Sequence, residues 1–190
     1  MSIRPDHWIA RKALDGMIDP FEESLVGKGT ISYGVSSYGY DFRVDRKYKL
    51  LQDGAIPVLD PKRTSERCYR DYEGDSCLIP ARSFVLCRSY EYFRIPRDIL
   101  GVCVGKSTYA RCGVSVNVTP LEPEWEGRLT MSVINNGPVP VRIHSGEGIA
   151  QLLFLRARDV CRVSYADRKG KYQAQREITL SRLQAGRDLA

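Results

Sequence analysis

The spacing of apolar residues changes character along the chain. In the stretch Ile3 to Met17, Trp8, Ile9, Ala13, Leu14 and Met17 recur at helical intervals, Pro5 suits a first turn, and Asp15-Gly16 supplies a stop. This predicts a short N-terminal docking helix. Pro20, Gly27 and Gly29 then break the pattern, which reads as a loop. Within Ile31 to Leu50 the period drops to two through Tyr40, Phe42 and Val44, as in a strand, with Gly34 and Gly39 marking bends or bulges.

The segment Ala55 to Asp75 is polar and rich in Asp, Pro and Arg, an excursion carrying short strands. Ser76 to Pro96 alternates again, and predicts two antiparallel strands turning at Pro80-Ala81-Arg82. Ile99 to Val104, GVSVNVTPL, GRLTMSVINN, VRIHSGEGIAQLLFLRA and VCRVSY continue the series. Short strands, Gly/Pro/Asn turns and one helix together predict a mainly β sandwich or barrel of Greek-key or jelly-roll type. Beyond Tyr165 the chain turns polar, basic and weakly periodic, so a β domain over residues 1–165 is expected to carry a tail, 166–190, that either frays or closes over a ligand.

Composition narrows this picture. A chain of 190 residues with 43% apolar and 27% charged residues supports one substantial core. The net charge of +6 is compatible with an anionic ligand, but Lys and Arg are scattered and no nucleic-acid-binding motif occurs, so nucleic acid is not an expected partner. Six cysteines include no CxxC pair, and His7 and His144 lie far apart, which argues against zinc and for free buried thiols in a reducing compartment. No window approaches the ~18 apolar residues of a membrane span, so a cytoplasmic location without membrane association is expected.

Two short stretches carry chemistry. In Gly105-Lys106-Ser107-Thr108 a glycine permits close backbone approach, a lysine brings charge, and two hydroxyls can bond phosphate oxygens, although the P-loop spacing is absent. Arg111 follows Ser107 by four residues and would share a helical face with it, either to hold an anion or to form a structural ion pair. In LEPEWEG, Glu122 and Glu124 flank Pro123, and Trp125 offers an apolar wall; a carboxylate there could select a sugar hydroxyl or orient a water, or simply be solvated.

Taken with ISYGVSSYGYDFR, EYFRIPRDIL, GEGIAQLLF and SYADRKGKYQAQ, the stretch GKSTYARCGVSVNVTPLEPEWEG resembles the dCTP deaminase family, relatives of the trimeric dUTP diphosphatases. The resemblance implies a distorted, dUTPase-like β-barrel or jelly roll, a homotrimer with sites between subunits, and a pyrimidine deoxynucleoside triphosphate bound with Mg2+ and without zinc. It places Lys106, Ser107 and Thr108 on the phosphates, with Ser107 and Arg111 also near the reacting base. It gives Asn117, Val118, Thr119 and Pro120 the reading of the pyrimidine, Glu122 the deoxyribose, and Tyr165, Lys171 and Gln175 the closure over the triphosphate.

The implied reaction is the attack of water on the amino-bearing carbon of cytosine. Relatives supply a glutamate base from the strand after EWEG; here the strand reads LTMSV, and Ser132 stands in that place. A serine hydroxyl can hold water but cannot take its proton near neutrality, so impaired deamination is expected. The alternatives are a dUTP or related diphosphatase using Glu122, and a non-catalytic nucleotide-binding regulator. The enzyme class read from these residues is a hydrolase shared between deaminases and diphosphatases, its deaminase activity left open. In the tail, Ala174 and Glu177 replace glycines common among relatives, which would stiffen a lid and add negative charge.

Overall fold

The computed structural model describes residues 2–52, 54 and 58–183. The first helical segment is shorter than its spacing predicted: β1 is Ser2–Ile3, helix α1 is Asp6–Leu14, and β2 is Ile18–Asp19. Pro5 caps α1 in an extended conformation, Asp6 lies in its first turn and Arg11 and Lys12 in its last, an arrangement that complements the helix dipole. Trp8, Ile9 and Ala13 form the buried stripe, and Trp8 packs on Phe154 with ring centroids 6.1 Å apart. Ile3 leaves the helix because it pairs with Leu155 of the last strand, and Ile18, expected in a loop, instead forms a short strand against Phe93.

The remaining elements are β3 (Gly34–Ser36), β4 (Gly39–Leu51), β5 (Tyr69–Glu73), β6 (Ser76–Ile79), β7 (Phe84–Arg94), β8 (Ile99–Gly105), α2 (Ser107–Ala110), β9 (Val114–Asn117), β10 (Glu126–Asn135), β11 (Val141–His144) and β12 (Gly148–Arg156). The main sheet runs β1-β12-β4-β7-β10-β9, with β2 also on β7, β3 and β5 also on β4, and β8 also on β12; β6 and β11 form a separate pair. The first part of β4 pairs with β12, and its second part pairs with β7 after a register shift between Val44 and Tyr48. That irregularity curls the sheet and lets one long strand serve both sides of a distorted barrel.

The interior is filled by side chains from both sides of this curl. Tyr40, Phe42, Tyr48, Phe93, Met131, Val133, Leu152 and Phe154 are fully or almost fully buried, each side chain of this kind contributing about 1.5–3 kcal/mol of apolar transfer. The most deeply buried carboxylate, Glu91, receives Arg43 Nε at 2.7 Å, while the Arg43 guanidinium packs on the rings of Tyr33 and Tyr90. Burial pushes the Glu91 carboxyl above its usual range, with Arg43 opposing the shift.

Several expectations are revised. Ile31 to Leu50 is not one bent strand but the hairpin β3–β4. Gly34 does mark a close approach, its φ of +106° and the Ser24 carbonyl leaving no room for a Cβ. The segment turning at Pro80-Ala81-Arg82 is not a hairpin: β6 pairs with β11 and β7 lies between β4 and β10, because a turn signal specifies a reversal and not a partner. VCRVSY, residues 160–165, forms no strand, and VRIHSGEGIAQLLFLRA is divided into β11 and β12 by a turn at Ser145-Gly146. Of the cysteines, Cys68, Cys77 and Cys87 are buried as expected, Cys103 and Cys161 are partly covered, and Cys112 is exposed. The excursion contributes β5, while residues 53 and 55–57 within it, and Met1 and 184–190 of the expected domain and tail, lie outside the described residues.

Candidate active site

Strict alternation on β10 builds the floor of the site. Leu129, Met131, Val133 and Asn135 are buried on one side, leaving Arg128, Thr130, Ser132 and Ile134 on the other. Ser132 pairs in register with Asn117 of β9 on one flank and Leu86 of β7 on the other. The strand is closed by Asn135, whose buried amide donates to the carbonyls of Ile79, Pro80 and Val139 and accepts from Gly137 N–H, so the Asn-Asn-Gly turn is fixed through the side chain of its first residue.

Over this floor lies a cavity of about 790 Å³. One wall is the segment Asn117, Val118, Thr119, Pro120, Leu121 and Glu122 with Trp125; another is Phe84, Leu86 and Tyr69; the roof is Leu59, Pro61 and Thr64 together with Tyr165, Lys171, Tyr172, Gln175, Thr179 and Ser181 from the tail. The structure thus gathers Asn117 to Pro120, Glu122, Ser132, Tyr165, Lys171 and Gln175 around one space.

Lys106, Ser107, Thr108 and Arg111 are not among the residues around it. They sit on and around α2, before β9, whereas the pocket begins at Asn117 where β9 ends; a four-residue strand of about 13 Å separates the two groups. Lys106 Nζ is held 2.5 Å from Asp41 Oδ2 in a largely buried pair. Arg111 does share a face with Ser107, but its Nη1 donates to the Ser107 carbonyl at 2.9 Å. Tyr109 anchors α2: burial pushes its phenol up to about 12, and its oxygen accepts from His144 N–H at 3.1 Å.

The tail residues are engaged chiefly with their own chain. Gln175 runs beside β10: Arg128 N–H donates to its carbonyl at 2.9 Å and its Nε2 donates to the Arg128 carbonyl at 2.8 Å. A glycine is required opposite, since a Cβ on Gly127, at φ +148°, would lie 2.9 Å from the Gln175 carbonyl oxygen. Gln175 Oε1 is buried without a protein partner among the described residues. Lys171 Nζ donates to the Arg182 carbonyl at 2.8 Å, and the Tyr165 hydroxyl accepts from Tyr172 N–H at 3.0 Å. Glu122 is ion-paired with Arg168, and that guanidinium lies over the Tyr165 ring.

A second set of charges fixes the turn that leads into the tail. Asp167 accepts from Arg97 Nη2 at 2.8 Å and from Ser164 N–H at 2.9 Å, and its own N–H donates to Ser164 Oγ. The Arg97 hydrogen bond, reinforced by that of Ser164, holds the Asp167 carboxyl down at about 2. Arg97 also pairs with Glu124 at 2.5 Å, which gives the second acidic residue of LEPEWEG a structural role. Neither Arg88 nor Asp41 stands out in the sequence; the one signal for Arg88 is a cation directly after the apolar run Val85-Leu86-Cys87, within a strand.

A model of the dCTP deaminase-like family matches residues 3–157. The dCTP deaminase of Acidobacterium capsulatum is 53% identical over 183 residues, covering 96% of this chain and all of the relative, and that of Paramagnetospirillum magneticum is 55% identical over 184 residues with the same coverage. Among solved structures, the 2'-deoxycytidine 5'-triphosphate deaminase of Agrobacterium tumefaciens superposes with a TM-score of 0.63 at 13% identity over 82% of this chain, which spans about half (48%) of that longer protein; this likeness concerns the fold alone. The mainly β, distorted-barrel expectation holds. The expectation of a hydrolase shared between deaminases and diphosphatases, its deaminase character open, is corrected: the matching family is the deaminase-like one, and these relatives are named deaminases.

Proposed function

The chain belongs to the dCTP deaminase-like family, and from that premise we propose that its pocket binds dCTP and turns it, with water, into dUTP and ammonia. Water adds to C4 of the cytosine ring, one of its protons passing to the ring nitrogen; the other passes from the new C4 hydroxyl to the amino group, the C4–N bond breaks, and ammonia leaves a 4-keto ring. The observation that carries this reading, and sets its pace, is the place of Ser132 on the floor between Asn117 and Leu86. Its hydroxyl can hold the attacking water by a hydrogen bond. The carboxylate lining the pocket, Glu122, is neutralised by Arg168. General acid–base catalysis contributes roughly 10²–10⁴-fold, so turnover is slow by about that factor compared with a site holding a carboxylate at position 132.

The site as one chain makes it is short of cations. Lys171 is the single Lys or Arg around the pocket among the described residues, too little charge for a triphosphate. The reading therefore includes a homotrimer in which Ser107, Thr108 and Arg111 of one copy face the pocket of the next. Among the described residues no group of three or more His, Cys, Asp or Glu is gathered to hold a metal. Any Mg2+ would arrive on the nucleotide phosphates, where it would offset charge. The gathered wall Asn117 to Pro120 supports a ligand with hydrogen-bonding groups on its ring or sugar. A cytoplasmic location goes with this reading; no helix among the described residues is long and apolar enough to cross a membrane.

The test is to incubate the protein with Mg2+ and dCTP or dUTP and to resolve dUTP, ammonia, monophosphates and pyrophosphate. Slow, equal release of dUTP and ammonia from dCTP is expected. Pyrophosphate without ammonia, or binding with no product after prolonged incubation, would overturn the proposal.

A further inference from the structure

The roof of the pocket is fastened at a point outside the pocket itself. Thr130 pairs with Arg88 and Ser132 with Leu86 across β10 and β7. Alternation therefore puts Arg88 on the same face of the sheet as Ser132, one pair further along. Arg88 is a buried cation with three anchors: Nε donates to Asp45 Oδ2 at 2.6 Å, and Nη1 meets both the Arg176 carbonyl and Glu177 Oε1, the latter at 2.9 Å. Glu177 also receives Lys47 Nζ at 3.1 Å.

The residues on either side of Glu177 are roof residues. Gln175 is paired with β10, Thr179 N–H donates to Thr130 Oγ1 at 3.1 Å, and the Ser181 hydroxyl contacts the Pro61 carbonyl and, at 3.2 Å, Thr64 Oγ1. The two halves of the roof, from the 59–64 segment and from the tail, are thereby tied to each other, and Glu177 ties the tail to the barrel by charge.

We propose that Glu177 is the latch of this roof: its carboxylate, shared between Arg88 and Lys47, holds residues 171–181 closed over the pocket and governs the exchange of whatever the pocket binds. That the exchanged molecule is a nucleotide rests on the function proposed above; the latch does not. Glu177 is a positioning residue, since it lies outside the pocket lining. Removing its charge leaves Arg88 compensated by Asp45, so the strand stays satisfied while the tail loses its charged anchor. Because the Glu177 side chain is 64% exposed, the latch is open to screening by salt.

Trp125 reports on the roof directly, because its Nε1 donates to the Tyr172 carbonyl at 3.0 Å. The chain has two tryptophans, and Trp8→Phe isolates the signal of Trp125. In ligand-free protein at low salt, Glu177→Gln is expected to raise acrylamide quenching of Trp125 clearly, and Glu177→Asp to raise it less. About 0.5 M NaCl, where the screening length falls well below 8 Å, is expected to bring the parent protein toward the Gln variant and to leave that variant unchanged. In the chain with both tryptophans, trypsin is expected to cut after Lys171, a site whose own neighbours are unchanged, faster in Glu177→Gln than in the parent. The rate of dCTP dissociation is expected to rise about 3- to 5-fold, with kcat moving less than KM. Equal quenching and equal proteolysis in parent and Gln variant at every salt concentration overturn the latch. A difference in both, with no binding of dCTP to either protein, upholds the latch and overturns the nucleotide reading.

Discussion

Lys106 Nζ lies 2.5 Å from Asp41 Oδ2, in a pair whose side chains are only 11% and 7% exposed. The lysine that a resemblance assigns to phosphate is, in the single chain, the counter-ion of a carboxylate on β4. Truncating it strands Asp41 as an uncompensated charge. Lys106→Ala is expected to destabilise the fold by about 3–5 kcal/mol, whereas Lys106→Arg keeps the charge and costs less. Urea unfolding of the two variants checks this; a Lys106→Ala protein as stable as the parent would show that the pair is not needed.

Ser132 sets the catalytic prediction. It stands on the half-buried, pocket-facing row of β10 with Asn117 and Leu86 beside it, so a longer side chain there projects into the pocket rather than into the core. Ser132→Glu is expected to raise deamination of dCTP, by up to roughly 10²–10⁴-fold, and Ser132→Ala to lower it further. Steady-state ammonia release measures both. No gain from the glutamate would remove position 132 from the proton-transfer step.

Asn135 is wholly buried and makes hydrogen bonds to four backbone groups. Asn135→Leu keeps the volume close but leaves those groups unpaired, at about 1–3 kcal/mol for each buried group left unsatisfied. A loss of about 3 kcal/mol would lower Tm by roughly 6–12 °C for a chain of this size. Differential scanning calorimetry reads the shift directly.

Asp167 provides a pH signature. Its folded pKa is depressed, to about 2, by Arg97 and by Ser164. A depressed carboxyl stabilises the folded turn at pH values above its unfolded pKa of about 3.9, and this contribution is lost as pH falls through the folded value. The tail turn is therefore expected to loosen between about pH 4 and pH 2, and Asp167→Asn to remove that part of the acid dependence. Trypsin being inactive there, pepsin cleavage of the tail across this range is the suitable measurement.

Much of the barrel was legible because burial alternates locally. Leu129, Met131 and Val133 read as one face of a strand, and Trp8, Ile9 and Ala13 as one face of a helix, and both faces are buried. The pairing of β7 was not legible. Pro80-Ala81-Arg82 announces a reversal, but nothing near it names β4 and β10 as the neighbours of β7 rather than β6. The site divides along the same line. Asn117 to Pro120, Glu122 and Ser132 stand close in sequence and meet in one pocket, while Arg88, Asp45 and Glu177 come from three distant segments and form a contact that no local pattern encodes.

By itself, then, the sequence determined the period of most segments, the turn chemistry and the family, since sterics and apolar spacing act between near neighbours. Only the tertiary structure decided that Lys106 answers Asp41, that Glu122 is taken by Arg168, and that the tail closes over the floor carrying Ser132. A charge has no preferred partner until folding brings one within a few ångströms and removes the water between them, and that proximity is a property of the packed barrel.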